Sequence, residues 1–446
     1  MTSATLGGPA TLWDKVRANY TQAIFLGGIA ILLPFAYFAA SAVTPLIFLM
    51  GALLLGHLRS LKAFAPVAAV TAAILILAFF RSDFVVGLAH GKSLGQAAHD
   101  SKMYFRAPMI MWFGIWALVC AAYDLSERQS ARVMKWLALT MLVLTAVLGA
   151  EAASHFGLRD WINRTFFKAA RSEMVVVRVS NSNFVLLYLF WPLTLYFMAR
   201  RWTLAILAVT LVICGLAIVV DTNAQILALV VSTAAFFATK YWPRNLWRKG
   251  LSPERILAVA TAAFILAFPF VMLWLMRAGL AEGLATHVGA SWRARFGIWG
   301  FAVLQASHKP FWGLGFEAAR NFEPIIPNHP HSLAIQAWLE LGIPGLALLA
   351  ALWFFIFWCM APKGEGEMVF ESTGFVELSN EPDPVDEQSL VQQARPYVVA
   401  LAVTYFFVNA ISFGIWRDWL YTQGAFAAAA MILSIKAVAS VKKFQI

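Results

Sequence analysis

Residues 256–276 read ILAVATAAFILAFPFVMLWLM, an uncharged run bounded by Arg255 and Arg277. A helix of that length covers about 30 Å, the thickness of a bilayer's hydrocarbon core. Clear runs of the same kind occur at 22–40, 64–80, 107–123, 136–152, 182–199, 202–220, 343–360, 397–414 and 419–435. Two are weaker: 43–56 is short but uncharged, and 224–239 begins among polar residues and turns apolar only from Ile226. Together they predict an all-α, polytopic integral membrane protein of about twelve transmembrane helices, with 1–446 forming a single membrane domain. Composition agrees, because a chain that is 61% hydrophobic and 13% charged, with a mean hydropathy of +0.71, does not have the profile of a soluble domain. Asp14, Lys15 and Arg17 before the first apolar run imitate a signal peptide. A second apolar run follows at once, so an uncleaved first span is expected.

Orientation follows from the basic residues in the short connections. With twelve spans both termini share a side, and that side receives Lys15, Arg17, Arg59, Lys62, Arg128, Arg132, Arg200, Arg201, the group Lys240, Arg244, Arg248, Lys249 and Arg255, and the terminal Lys442 and Lys443. Both termini are therefore expected in the cytoplasm. The stretch 361–396 falls on the same side; with eight Asp and Glu residues and four prolines it reads as an acidic, poorly ordered loop. The opposite side holds 81–106, 153–181 and 277–335, which are also basic. A translocated surface so rich in cations points to phosphate-bearing partners at the outer headgroup level, membrane phospholipids among them. The cysteines Cys120, Cys214 and Cys359 lie far apart in apolar segments and give neither metal spacing nor a disulfide framework. No nucleic-acid motif, phosphate-binding glycine loop or fixed-period repeat is present.

The outer segments supply the candidates for function. In 81–106, Gly87, Gly91 and Gly95 interrupt an apolar stretch that fits a short interfacial element, with Lys92 and Lys102 facing headgroups or a charged substrate. In 153–181, Arg159, Arg164, Lys168, Arg171 and Arg178 alternate with aromatic and aliphatic residues; between Asp160 and Ala170 the spacing predicts an amphipathic helix in the membrane plane. The region 287–345 is the richest, and 277–335 is expected to be a large extracytoplasmic, catalytic loop with short helices. There Ser291 is expected to cap a helix that puts Arg295 and Trp299 on one face, and the planar arginine fork suits two oxygens of a diphosphate. Pro310 to Gly315 make a tight connection. Pro330 restricts His329 toward extended backbone, and His331 stands just ahead of a helix whose alternative cap is Ser332.

These residues resemble the O-antigen ligases of Gram-negative bacteria, a group related to the O-antigen polymerases. The matching pattern is Arg295 with Trp299, then Pro310 to Gly315, then His331-Ser332, then Gln336 to Gly345 with its Gln-x-Trp-x-Glu-x-Gly-x-x-Gly form. The resemblance implies a periplasm-facing inner-membrane glycosyltransferase that moves a polysaccharide from undecaprenyl diphosphate to lipid A-core. It implies His331 and Arg295 as the catalytic pair. Lys92, Arg159, Arg164, Arg171, Arg178, His329 and Gln336 complete the expected substrate-binding set. One departure stands out: where many members carry Ser-Arg-Gly, this chain has Asp221-Thr222-Asn223-Ala224-Gln225, so a second diphosphate-binding arginine must come from elsewhere.

The chemistry fits such a transfer. A donor already activated by a diphosphate leaving group needs no nucleotide site. Arginine forks stabilise the charge that develops on departure, and a neutral imidazole can take the proton of the attacking hydroxyl. Direct displacement inverts the anomeric centre, and no carboxylate has a comparable claim to be a covalent nucleophile. His287, His308, His329 and His331 share the region, but their spacings match no metal template, so no cofactor or metal is expected. A monomer is expected to suffice. A polymerase remains the alternative, and a lipid-linked sugar transporter is disfavoured because the notable polar residues gather at one face rather than in mid-membrane.

Overall fold

The computed structural model describes residues 12–38, 42–93, 95–97, 106–166, 174–243, 245–246, 250–327, 329–361 and 384–443. These residues form an all-α, multi-pass membrane protein. The main helices are α1 (Leu12–Phe38), α2 (Val43–Leu53), α3 (Ala65–Phe80), α4 (Asp83–Ala89), α5 (Arg106–Asp124), α6 (Glu127–Ala153), α7 (Gly157–Phe166), α8 (Met174–Ala199) and α9 (Thr203–Val219). They continue with α10 (Asn223–Lys240), α11 (Pro253–Arg277), α12 (Leu280–Thr286), α13 (Ala290–His308), α14 (Leu333–Met360), α15 (Pro384–Ile411) and α16 (Asp418–Lys443).

Each of the apolar segments read from the sequence coincides with one of these helices. Among the described residues nine helices are long and apolar enough to cross a membrane, and three shorter apolar helices, Val43–Leu53, Met111–Asp124 and Thr203–Val219, accompany them. The patterns at 202–220 and 224–239 exchange rank. The first, uninterrupted in sequence, yields a helix of 17 residues, about 26 Å long and short of a full crossing. The second extends through Lys240 and meets the length.

Local signals set the helix ends. Ser126 and Gln129 form a reciprocal capping box at the start of α6, and Ser252 caps α11 just before Pro253, whose missing N–H costs nothing in the first turn. At α13 the expectation differs from the structure. Gly289 occupies the cap position, and Ser291 lies inside the first turn, where its hydroxyl accepts a hydrogen bond from Arg295. Ser332 does stand at the cap position of α14, but its side chain makes no cap bond.

Two apolar cores organise the chain. One joins α1, α2, α5, α6, α8, α9 and α16 around residues such as Tyr188, Phe197 and Leu433. The other joins α11, α13, α14 and part of α15 around Trp338, Trp353 and Phe357. Since lipid is as apolar as the side chains, polar links between helices matter here. The Trp191 indole on α8 donates to Ser232 on α10 and Thr404 on α15, both at 3.1 Å, and a fully buried Glu254 on α11 pairs with Arg395 on α15. Helix α15 starts at Pro384, so it takes in the end of the acidic 361–396 stretch; residues 362–383 lie outside the described residues.

Candidate active site

The site is built on a break in α14. Gly342 has φ 68° and ψ −160°, and Pro344 follows it inside the helix. That backbone region is open essentially to glycine alone, and proline has no N–H to offer the carbonyl four residues back. Glu340 O is thereby orphaned, and the Gly315 N–H fills it at 2.9 Å; Leu314 N–H donates to Leu339 O at 2.7 Å. In return Ile343 N–H donates to Pro310 O and Phe311 O, both at 3.1 Å, and the Trp338 indole donates to Pro310 O at 3.1 Å. The Pro310–Gly315 turn and the Leu341–Gly345 segment are thus two halves of one clamp, which accounts for both glycine-bearing stretches in physical terms. Arg81 closes it from α3, donating to Gly313 O at 3.1 Å while its own carbonyl accepts from Phe316 N–H.

A Cβ at Gly342 would fall on the Phe311 carbonyl. Gly342→Ala is expected to lower the apparent Tm of the detergent-purified protein clearly, since the backbone strain alone costs about 1–3 kcal/mol. Gly283→Ala, where an added Cβ meets nothing within 4 Å, serves as the control and should melt like the parent. Equal melting of both variants would remove the clamp from the account.

Glu340 and Gln336, one turn apart on the buried face of α14, attach two further segments. Glu340 accepts from the backbone N–H of Glu317 at 3.0 Å, from Gln336 Nε2 at 3.0 Å and from the Trp416 indole. Gln336 Oε1 accepts from Ile415 N–H at 2.9 Å. Gly414 sits so close that a Cβ there would press on Gln336 Oε1 and on the His329 side chain. The connection 412–417 between α15 and α16 is therefore held against the start of α14.

That docking fixes His331. Its Nδ1 lies 2.8 Å from Ser412 O. A carbonyl can only accept, so Nδ1 carries the proton, and Nε2 of the neutral ring is left with its lone pair. The residue has φ 55°, an αL conformation uncommon outside glycine and asparagine. Its amide donates to His329 Nδ1 at 3.2 Å, which fixes neutral His329 with its proton on Nε2. Burial holds the His331 pKa below its ordinary 6.5; the Ser412 bond works in the opposite direction, and the charges of Arg295 and Arg417 depress it further. Burial, with His331, Arg417 and Arg320 adding to it, pushes His329 down to about 2. Both rings are neutral near pH 7.

Arg295 is half-buried, donates to Ser291 Oγ at 2.8 Å and lies over the Trp292 ring at 5.2 Å. No carboxylate among the described residues pairs with it, and its Nε is buried without a partner. Four residues on, Trp299 is packed into the second core. Beside His329 lies a small open cavity of about 10 Å³ lined by Glu317, Arg320, His329, Gln336, Trp416 and Arg417 together with Glu340 and Gly414. Neither His331 nor Arg295 is among its lining residues.

Other sequence candidates are placed elsewhere. Arg159 is buried, donates to the Tyr37 carbonyl and lies 4.8 Å from the centre of the Tyr37 ring. Arg164 pairs with Asp160 at 2.8 Å within α7, a helix that covers the first part of the expected amphipathic stretch, whose remainder from 167 lies outside the described residues. Lys92 is exposed just beyond α4. Arg171 lies outside the described residues, as does the side chain of Arg178. Gln336 lines the cavity, but its amide is engaged by Ile415 and Glu340. Among the described residues no group of three or more His, Cys, Asp or Glu side chains is placed to hold a metal ion.

Residues 165–350 match a family model described as O-antigen ligase. Over that stretch the chain is similar to the O-antigen ligases. Provisionally named polysaccharide ligases of Rickettsia felis and Rickettsia prowazekii are 26% and 24% identical to it over 197 residues, 41% of this chain and 42% of each relative. The matched part thus spans about two fifths of those relatives' length. The matched stretch contains Arg295, both halves of the clamp and His331, whereas Ser412, Gly414, Trp416 and Arg417 lie beyond its end. At the stretch where this chain departs from the Ser-Arg-Gly pattern, Gln225 is buried and donates to Ser180 O at 3.3 Å, and Asn223 donates to Asp221 at 3.2 Å. The cation that joins Arg295 in acting on His331 is Arg417. Sequence reasoning passed over it, together with Arg320 and the Ser412 carbonyl. The available signal was Arg417-Asp418, the charge pair in the short connection between the last two apolar runs.

Proposed function

We propose that the protein is a membrane glycosyltransferase of the O-antigen ligase type. It transfers a polysaccharide from undecaprenyl diphosphate to a sugar hydroxyl of lipid A-core by single displacement. The observation that carries this reading is the state of His331: Nδ1–H is committed to Ser412 O, Nε2 is left as a base, and Arg295 is near enough to depress its pKa. In the reaction Nε2 takes the proton of the acceptor hydroxyl. The acceptor oxygen forms the bond to the anomeric carbon, while the bond from that carbon to the diphosphate oxygen breaks and its electron pair leaves with the diphosphate. Arg295, a half-buried guanidinium with no carboxylate partner among the described residues, binds the departing diphosphate and stabilises its growing charge. The anomeric centre inverts.

The same reading places both termini in the cytoplasm, 277–335 and the 412–417 connection at the periplasmic face, and the polyprenyl tail among the helices, since drawing it from lipid would cost about 0.8 kcal/mol per methylene. Proteoliposomes holding the purified chain, a lipid-diphosphate glycan and lipid A-core should yield glycan-bearing lipid A-core on gels. Elongation of the lipid-linked glycan with lipid A-core left unmodified would instead make the protein a polymerase.

A further inference from the structure

We infer that the tip of the clamp turn, Phe311 and Trp312 with Lys309 beside them, is a membrane-surface contact, seated in the lipid leaflet on its own side of the bilayer where hydrocarbon meets headgroups. The inference depends neither on the transfer reaction nor on which side of the membrane the clamp faces.

Three observations carry it. First, the segments that the clamp draws together each turn a large apolar side chain outward. Phe311 and Trp312 are 52% and 56% exposed, Ile343 of α14 is 42% exposed, and Phe80, at the end of α3 next to Arg81, is 60% exposed. Second, the tip cannot fold its rings away. Gly313 N–H donates to Lys309 O at 2.9 Å, and Ile343 N–H holds Pro310 O and Phe311 O. Gly313, at φ 68°, lies so close to the backbone of Glu340 that a Cβ would overlap it. The two rings meet edge to face at 4.7 Å. The hydrogen bonds that fix this backbone therefore hold the aromatic pair in its exposed place. Third, the surroundings match a lipid surface. Ile343 opens the uncharged run 343–360, within a helix long and apolar enough to cross a membrane, so the patch continues into the apolar surface of a span. Lys309 is exposed, and no Asp or Glu lies between Leu304 and Phe316. Tryptophan at headgroup level with a cation beside it is what a lipid interface favours, the indole bridging apolar and wet layers and the ammonium facing phosphates. A second copy of the chain is a poorer occupant, because a two-fold contact would bring two Lys309 ammonium groups together with no acid in the turn to separate them.

Seating the tip fixes the height of the site. The turn is bonded to Leu339, Glu340 and Ile343, and His331 lies just ahead of Leu333, where α14 begins. From Ile343 back to Leu333 the helix rises about 15 Å, at about 1.5 Å per residue. With Ile343 at the edge of the hydrocarbon, the histidine pair is held outside it, and the bonds that bridge the break in α14 also set that distance.

Site-directed spin labelling tests this. In the full-length chain with Cys120, Cys214 and Cys359 replaced by Ala, Trp312→Cys carries a nitroxide, and Phe311→Cys, which keeps Trp312, gives a second label position. Gly289→Cys, at the opposite end of α13, where an added Cβ meets nothing within 4 Å, carries the reference label. The proteins are reconstituted in vesicles of phosphatidylethanolamine and phosphatidylglycerol. EPR power saturation then measures collisions with oxygen, which concentrates in hydrocarbon, and with a water-soluble nickel chelate. The ratio of oxygen to nickel collisions is expected to be severalfold higher for both tip labels than for the reference. A ratio no higher than the reference would put the tip in water and overturn the proposal. Few collisions with either reagent would overturn it as well: if they rose on dilution with lipid the occupant would be a second copy, and if they did not, another part of this chain. Turnover does not enter the readout, so the result stands or falls apart from the proposed reaction.

Discussion

Replacing His331 with Asn is expected to slow transfer about 10²–10⁴-fold, the usual contribution of a positioned general base. The choice of Asn matters. His331 has φ 55°, and asparagine accepts that backbone far better than alanine, so His331→Asn removes the base with little strain, whereas His331→Ala removes the base and strains the turn as well. Both variants should lose activity, while His331→Asn keeps the parent's melting temperature and donor affinity. Initial rates in proteoliposomes and thermal melting of the same preparations check this, and full turnover in His331→Asn would end the general-base assignment. The pH dependence follows from the same environment. The base works only when neutral, and its pKa is held below 6.5, so kcat/KM should stay level as pH is lowered from 8 to about 6.5 and fall only below that. Arg417→Gln removes one of the depressing charges and should move the fall to higher pH.

Arg295→Gln is expected to lower kcat about 10²–10³-fold, as loss of a donor to developing negative charge does in other transfer enzymes. Arg295→Lys keeps the charge but loses the two-pronged geometry, and its rate should fall between the two. Among the described residues the guanidinium's hydrogen-bond partners are Ser291 Oγ and Ser291 O, on its own helix, and no inter-helix ion pair there depends on it, so protein levels should be unchanged. Separate kcat and KM values decide the role: a larger effect on kcat means that Arg295 acts on the departing diphosphate. An effect on protein amount alone, with normal turnover per molecule, would return it to an anchor beside Trp292.

The membrane architecture was legible because it depends on composition over windows about as long as the bilayer is thick. Every apolar run from 22–40 to 419–435 became a helix. Ranking the runs at 202–220 and 224–239 was less reliable, since a helix's final length depends on its end residues, as Lys240 shows by extending α10. Arg295 and His331 were singled out through the resemblance to a family pattern, not through distance. Arg159 read as a substrate cation because it is basic and lies in an outer segment, and only packing shows its guanidinium turned to Tyr37.

The sequence by itself determined that the chain is helical and membrane-embedded, and it singled out 287–345 and, within it, which histidine and arginine to test. These are properties of local composition, spacing and motif. Only the tertiary structure decided what state that histidine is in. Its tautomer comes from Ser412, 81 residues away, held in place because Glu340 and Gln336 grip Trp416 and Ile415. Nor could sequence reveal that the Gly313 and Gly342 motifs are one clamp, or that Arg417 stands beside His329. Each depends on the meeting of segments that the chain separates by tens of residues, and one sequence records what each segment prefers but not the distances between them.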